Sequence, residues 1–288
     1  KDLLNRIKNP HLYMRRGIIL GHRGYEDVLR AMNERREFAV MSGFMPSGKV
    51  HLGGKMVMDE IIWHQRMGGD AFACIADMEA HSVRGISWHD CRELGLNEYI
   101  LSLVALGFDV EKGHIYFQSE NKKLLDLAFE LGTEVNLSEL SAIYGFQGDV
   151  HISHMISVLV QNADILQPQL HDYGGPKPTV IPVGVDQDPH IRLTRDVASR
   201  MRMFMVEKRV DKDLKPYISI RVKRTKPGAI EEIAKRIKME FPSPKRYDMH
   251  LDIFTHAPVT ESNIDAYMPR VEEIVRDVAV SYTHLTLP

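Results

Sequence analysis

Residues 38–44 form a short, mostly apolar run that predicts a buried strand, and Val57, Ile61, Ile62 and Met67 then recur at roughly helical spacing. Between them lies a turn rich in Gly and Pro. The Gly68-Gly69-Asp70 turn leads into a second strand-like run, Ala71 to Ile75, and Trp88 to Leu106 reads as one long helix ended near Gly107. Ile115 to Gln118 and Val180 to Val183 predict two more strands, while Asn121 to Leu131, Ile152 to Leu166 and Asp188 to Met201 read as helices. Strands alternating with helices imply an α/β fold with a mostly parallel sheet, whose ligands sit at strand carboxyl ends near the point where strand order reverses. Pro46-Ser47 follows the first strand, Asp77 to Glu79 the second, and Asp186-Gln187 the last. Farther on, Tyr217, Ile218, Ile220 and Val222 alternate as in a strand, and Ala229 to Glu240 has a helical charge pattern.

Composition narrows the class. With 288 residues and 44% hydrophobic content the chain buries a sizeable core, as one large domain or one domain with appendages. No apolar run reaches membrane-spanning length, and the charged start Lys1 to Lys8 is not followed by a signal-peptide core, so the cytoplasm is the expected compartment. Cys74 and Cys91 fit no disulfide framework or C-x-x-C metal pattern. His151, His154 and His171 lack matching ligands and read as solvated or helix-capping residues, so no metal site is expected. A net charge of −2 excludes a uniformly basic coat but leaves room for a local patch: Lys208, Arg209, Lys212, Lys215, Arg221, Lys223, Arg224 and Lys226. A solvated hairpin with a charged outer face is preferred there over phosphate binding.

The candidate chemistry concentrates in Gly43-Phe44-Met45-Pro46-Ser47-Gly48-Lys49-Val50-His51-Leu52-Gly53-Gly54-Lys55. Backbone N–H groups in such a turn and at the following helix start can bind an anion, with Lys49, His51 and Lys55 adding charge or donors. The spacing is neither that of the G-x-x-x-x-G-K-[ST] loop nor of G-x-G-x-x-G, which argues against an ordinary nucleoside triphosphatase or dehydrogenase.

Pro46 to Gly53 resembles the HIGH-type signature of class I aminoacyl-tRNA synthetases, in the form found in the tyrosyl and tryptophanyl enzymes. Ile181-Pro182-Val183-Gly184-Val185-Asp186-Gln187-Asp188-Pro189-His190-Ile191-Arg192-Leu193-Thr194-Arg195-Asp196 resembles the amino-acid and ribose-binding segment of tryptophanyl-tRNA synthetases of archaeal and eukaryotic type. His11 to Arg23 looks like the preamble of those enzymes, so the resemblance covers about Pro10 to Met201. It implies a Rossmann-like (HUP-type) parallel sheet flanked by helices, with an inserted α+β segment near the C-terminus. In the implied reaction the tryptophan carboxylate attacks the α-phosphorus of ATP, with Mg²⁺ accompanying the nucleotide, and releases pyrophosphate; a ribose hydroxyl at the 3′ end of tRNA(Trp) then takes the tryptophanyl group from the adenylate, releasing AMP. A homodimer with its interface near Asn136 to Gln147 is also implied.

Carried over position by position, the resemblance gives His51 and Lys49 catalytic roles on the ATP phosphates and places Pro46, Ser47, Gly48, Gly53, Gly54 and Asp186 around ATP. Gly54 stands where many relatives have a second histidine. Gln187, Gln161 and Glu79 fall around the substrate ammonium, which carries three donors and needs acceptors. Asp164 resembles an aspartate that accepts the indole N–H in bacterial tryptophanyl enzymes, although tyrosyl enzymes place an aspartate there for the phenol. Met41 aligns with a pocket tyrosine, Ser157 with the tyrosine of a tyrosyl motif, and Cys74 with a glutamine of eukaryotic relatives. The resulting apolar pocket favours indole over phenol, which is both donor and acceptor. A tyrosyl-tRNA synthetase and a non-catalytic tryptophan- or adenylate-binding paralogue remain as alternatives.

The resemblance also implies a K-M-S-K-S-like loop, and no such motif occurs between Met201 and Pro288. Lys238-Met239-Glu240 lacks the serines and belongs to the helical pattern. The expected organisation is a preamble at 1–35, a catalytic domain at 36–201, an insertion at 202–280 and a foreign-looking tail at 281–288, in an incomplete synthetase.

Overall fold

A computed structural model describes residues 3–201, 204–222, 228–241, 244–247, 250–255 and 259–282; Lys223, Arg224 and Lys226 of the basic patch and the tail from 283 lie outside them. The chain divides into two units, residues 1–168 with 176–198 and residues 169–175 with 199–288.

The first unit opens with α1 (Leu12–Arg15) and α2 (Tyr25–Glu34), followed by β1 (Ala39–Phe44), α3 (Leu52–Arg66), β2 (Asp70–Ile75) and α4 (Asp77–Arg84). Then come α5 (Trp88–Leu94), α6 (Leu101–Leu106), β3 (Gly113–Phe117), α7 (Lys122–Gly132), α8 (Leu137–Tyr144), α9 (Ile152–Leu166), β4 (Thr179–Val180) and α10 (Asp188–Met201). The four strands are parallel in the order β3-β2-β1-β4, so strand order reverses beside β1. That is the switch point where open α/β sheets bind ligands. β1 and β2 are buried almost throughout, as parallel strands covered on both faces must be.

Two expected elements differ. β4 ends at Val180 because Pro182 has no N–H for the ladder; its carbonyl instead accepts from Ser42 Oγ at 2.9 Å. The long helix expected from Trp88 to Leu106 is interrupted by a π-helical turn at Gly95–Ile100. A Cβ on Gly95 would lie 2.5 Å from the Phe117 ring and 2.9 Å from Ile75, so the helix passes the sheet at a distance only glycine permits. Local widening of this kind accommodates a close approach without ending the helix.

The amino-terminal segment is tied to the helices that follow two of the motifs. Tyr13 Oη and Lys55 Nζ donate to the same Asp59 oxygen, at 2.6 and 2.5 Å, and His11 Nδ1 lies 2.8 Å from Glu60 Oε1. Arg23 forks onto Asp188 at 2.6 and 3.1 Å, and Arg195 donates to the Arg23 carbonyl at 2.8 Å. Residues 11–23 thereby brace the middle of α3 and the start of α10.

The second unit contains β5 (Phe204–Val210), β6 (Pro216–Val222), α11 (Ala229–Glu240), β7 (Lys245–Arg246), β8 (His250–Phe254) and α12 (Ile264–Tyr282). Its sheet is antiparallel in the order β5-β6-β8-β7. Ile218, Ile220, Val222, Leu251 and Ile253 form one core with Ile233 and Ile237 of α11 and Val271, Ile274 and Val278 of α12. The expected hairpin and amphipathic helix are both present, and Lys238-Met239-Glu240 is the last turn of α11.

Gly95→Ala should lower stability by about 1–3 kcal/mol, because the new methyl meets two packed side chains. Thermal unfolding measures it; an unchanged melting temperature would show that the π turn yields freely.

Candidate active site

The turn after β1 is built around a capped helix start. His51 is the N-cap of α3, and its Nδ1 accepts from the Gly54 N–H at 3.3 Å. A Cβ on Gly53 would lie 3.1 Å from the His51 ring, so glycine at 53 is what lets the imidazole fold over the first turn. Gly54 has no such requirement, since a Cβ there would meet Val50 at an ordinary 3.7 Å. The histidine expected at 54 is therefore missing for a reason other than backbone packing. Ser47, Lys49 and His51 are exposed, Pro46 is buried and Gly48 lies between. The first N–H groups of a helix have no intrahelical partner, and here they open beside the exposed side chains of the turn. An anionic phosphate chain fits this arrangement.

A second cluster crosses the carboxyl ends of the central strands. Gly43, Cys74 and Tyr116 are register partners on β1, β2 and β3, and Met41 precedes them on the same face of β1. Met41 and Cys74 are buried in the sheet, and a Cβ on Gly43 would touch Cys74 at 3.8 Å. Over this row α9 places Asp164, 3% exposed, whose oxygens accept from Tyr116 Oη at 2.9 Å and Gln118 Nε2 at 2.6 Å. Burial drives the Asp164 carboxyl up to about 7, against the pull of the hydrogen bonds from Gln118, Tyr116 and Cys74. Burial also raises the Cys74 thiol, aided by the neighbouring Asp164 charge. Gln118 Oε1 in turn accepts from the Glu79 N–H at 3.4 Å, and burial raises the Glu79 carboxyl.

The third cluster joins α9 to the start of α10. Gln161 Nε2 donates to Gln187 Oε1 at 3.1 Å, and Gln187 Nε2 donates to Asp186 Oδ2 at 2.9 Å. Each amide engages one of its two N–H groups, and Gln161 Oε1, the second lone pair of Gln187 Oε1 and the Asp186 carboxylate remain as acceptors, the complement of an ammonium. A Cβ on Gly184 would collide with Asp186 Oδ1, so this carboxylate folds back only because 184 is glycine. Beneath, Thr194 Oγ1 donates to Asn162 Oδ1 at 2.7 Å, both buried, and Tyr144 Oη lies 2.9 Å from His190 Nδ1.

The residues singled out from sequence thus fall into three groups at the same end of one sheet. Lys49 is exposed on the turn, and Ser157 donates to the Ser153 carbonyl within its own helix. His154 bonds the Ser82 carbonyl at 3.1 Å, tying α9 to α4. Sequence reasoning passed over Tyr116, Gln118 and the Asp77–Ser119 pair, in which Asp77 accepts from the Met78 and Ser119 N–H groups at 3.0 and 3.1 Å. The available signal was polar and phenolic residues at the carboxyl end of the third strand.

This chain belongs to the class I tRNA synthetases of the tryptophanyl and tyrosyl group, whose family model, tRNA synthetases class I (W and Y), matches residues 32–215. It is 54% identical over 283 residues to the tryptophan–tRNA ligase of Methanosarcina acetivorans, covering 98% of this chain and 62% of that protein. It is 53% identical over 260 residues to that of Archaeoglobus fulgidus, covering 90% of this chain and 59% of that protein. A solved tryptophanyl-tRNA synthetase from Aeropyrum pernix superposes with a TM-score of 0.64 at 42% identity, over 69% of this chain and 54% of that one. A tryptophan-bound synthetase from Encephalitozoon cuniculi gives 0.63 at 26% identity, over 69% and 60%. The chain therefore spans about three fifths of the length of these curated relatives. The expected Rossmann-like parallel sheet flanked by helices is the fold found, and the α+β segment expected near the C-terminus is an antiparallel sheet with its helices.

Because the Asp164 carboxyl is raised when folded, its contribution is full below the unfolded value near 4 and is lost as pH rises toward about 7. Asp164→Asn should therefore gain stability relative to the parent between pH 5 and 7.5, read by denaturant unfolding across that range. A pH-independent difference would mean that Asp164 is already ionised.

Proposed function

We propose that this chain binds tryptophan and ATP and takes part in charging tRNA(Trp) through a tryptophanyl adenylate. The observation that carries this reading is its sustained identity to archaeal tryptophan–tRNA ligases along nearly its whole length. In this reading the turn Pro46-Ser47-Gly48-Lys49 and the first N–H groups of α3 bind the nucleotide phosphates, with Gly53 and Gly54 admitting them closely. His51 and Lys49 neutralise charge as the tryptophan carboxylate displaces pyrophosphate from the α-phosphorus, a step that needs alignment and electrostatics more than a protein nucleophile. Mg²⁺ enters with the phosphates. Asp186 faces the ribose or ammonium, and Gln187, Gln161 and Glu79 supply acceptors to the ammonium. Met41 and Cys74 line the ring pocket, and Asp164 takes the indole N–H.

The pocket chemistry favours tryptophan over tyrosine. Asp164 already receives Tyr116 and Gln118, with the Cys74 thiol beside it, and as an acceptor it suits a donor-only indole, while a phenol oxygen would face Met41 and Cys74 without a strong donor. We place the catalytic domain at 36–201, after a bracing segment at 1–35 and before a separate segment at 202–280. Pairing of two copies near Asn136 to Gln147 is consistent with the 57% exposed Leu137. No helix among the described residues is long and apolar enough to cross a membrane, in keeping with a cytoplasmic site of action.

Isothermal titration should show tryptophan binding, with Asp164→Ala weakening it about 10-fold or more through loss of a charged hydrogen bond. In ATP–pyrophosphate exchange stimulated by tryptophan, His51→Ala should reduce turnover by roughly 100-fold. Binding or stimulation by tyrosine alone overturns the substrate assignment.

A further inference from the structure

The antiparallel sheet of the second unit has one face sealed by α11 and α12 and another whose side chains follow from the register. Arg209, Tyr217 and Phe254 form one row across β5, β6 and β8; Glu207, Ser219, Asp252 and Lys245 form the next; Met205, Arg221 and His250 the third. Tyr217 stacks on Phe254 with ring centroids 5.0 Å apart, Lys245 Nζ lies 5.0 Å from the Phe254 centroid, and Tyr247 stacks on His250 at 4.3 Å. Arg221, Lys245 and Tyr247 are exposed, and Tyr217, Phe254 and His250 are partly exposed. The two acids on this face are engaged within it: Glu207 pairs with Arg209 at 2.8 Å, and Asp252 accepts from Ser219 Oγ at 2.7 Å and lies 3.6 Å from His250 Nε2.

The charge of this region runs against that of the chain. Residues 208–226 carry eight Lys and Arg against two Asp, in a protein whose formal net charge is −2. Asp211 is turned onto the hairpin backbone, accepting from the N–H groups of Asp213 and Lys215, both at 2.9 Å. Lys212 and Lys215 are exposed at the hairpin tip. Flat rings flanked by guanidinium and ammonium groups match a polymer of planar bases on an anionic backbone. An antiparallel sheet with its helices on the opposite face leaves these two ring pairs side by side, separated by the buried Ser219–Asp252 row.

We propose that this sheet face binds an unpaired stretch of RNA, with Tyr217–Phe254 and Tyr247–His250 as two base-stacking platforms and Arg221 and Lys245 on the phosphates. Only the identity of that RNA, the tRNA to be charged, rests on the function proposed above. The strand side chains contribute stacking and charge, with no base-edge readout, so affinity should be largely indifferent to sequence and steeply dependent on salt.

The test is fluorescence anisotropy with a labelled ten-nucleotide single-stranded RNA of mixed sequence and with unfractionated tRNA, using the full chain. The parent should bind both. Arg221→Glu with Lys245→Glu should weaken binding at least 10-fold and flatten the salt dependence, and Tyr217→Ala with Phe254→Ala should weaken it about 10-fold or more. The charge variants are at exposed positions, so they decide the matter even if the aromatic pair is needed for folding. Tryptophan titration on the same variants should be unchanged, which separates failure of this site from failure of the tryptophan reading. Absence of single-stranded RNA binding by the parent, or equal binding by the charge variants, overturns the proposal.

Discussion

A carboxylate almost without exposed surface, Asp164, holds the site together. Its two oxygens receive Tyr116 and Gln118 from the end of β3, so the helix that carries Gln161 is fixed over the row of Met41, Gly43 and Cys74. A buried carboxyl of this kind is tolerated only while its hydrogen-bond partners stay in place. Moving α9 would strand the carboxyl among apolar neighbours, and Gln118 links it onward to Glu79. The candidate site and the fold are therefore held by the same hydrogen bonds.

The amino-terminal segment serves the same end from outside the sheet. Its bonds reach Asp59 in the middle of the helix after the first motif and Asp188 at the start of the helix after the last. Exposed ion pairs such as Arg23–Asp188 contribute little stability individually. Their value is geometric: the helix that follows His51 and the helix that follows Asp186–Gln187, far apart in sequence, are both referred to one short stretch of chain.

The second unit obeys different physics. Its antiparallel strands alternate between a sealed apolar face and an aromatic, basic one, whereas the central parallel strands of the first unit, β1 and β2, are covered on both sides. Each sheet thus exposes chemistry where its topology allows: at strand ends in the parallel sheet, and across a whole face in the antiparallel one.

Much of this was legible in the sequence because it depends on local periodicity and on turns. The apolar run ending at Phe44, the glycines and proline after it, and the helices 152–166 and 188–201 appear where their patterns place them. The family resemblance also follows from contiguous motifs. Tertiary packing alone decided the rest. The break at Gly95 arises from the Phe117 ring across the layer, the early end of β4 from a neighbouring strand that Pro182 cannot join, and the roles of Tyr116 and Gln118 from a helix almost fifty residues away. A sequence states which groups are available as donors, acceptors and rings; which of them meet is settled by register and burial, because a hydrogen bond or a collision exists only between atoms that the fold has already brought together.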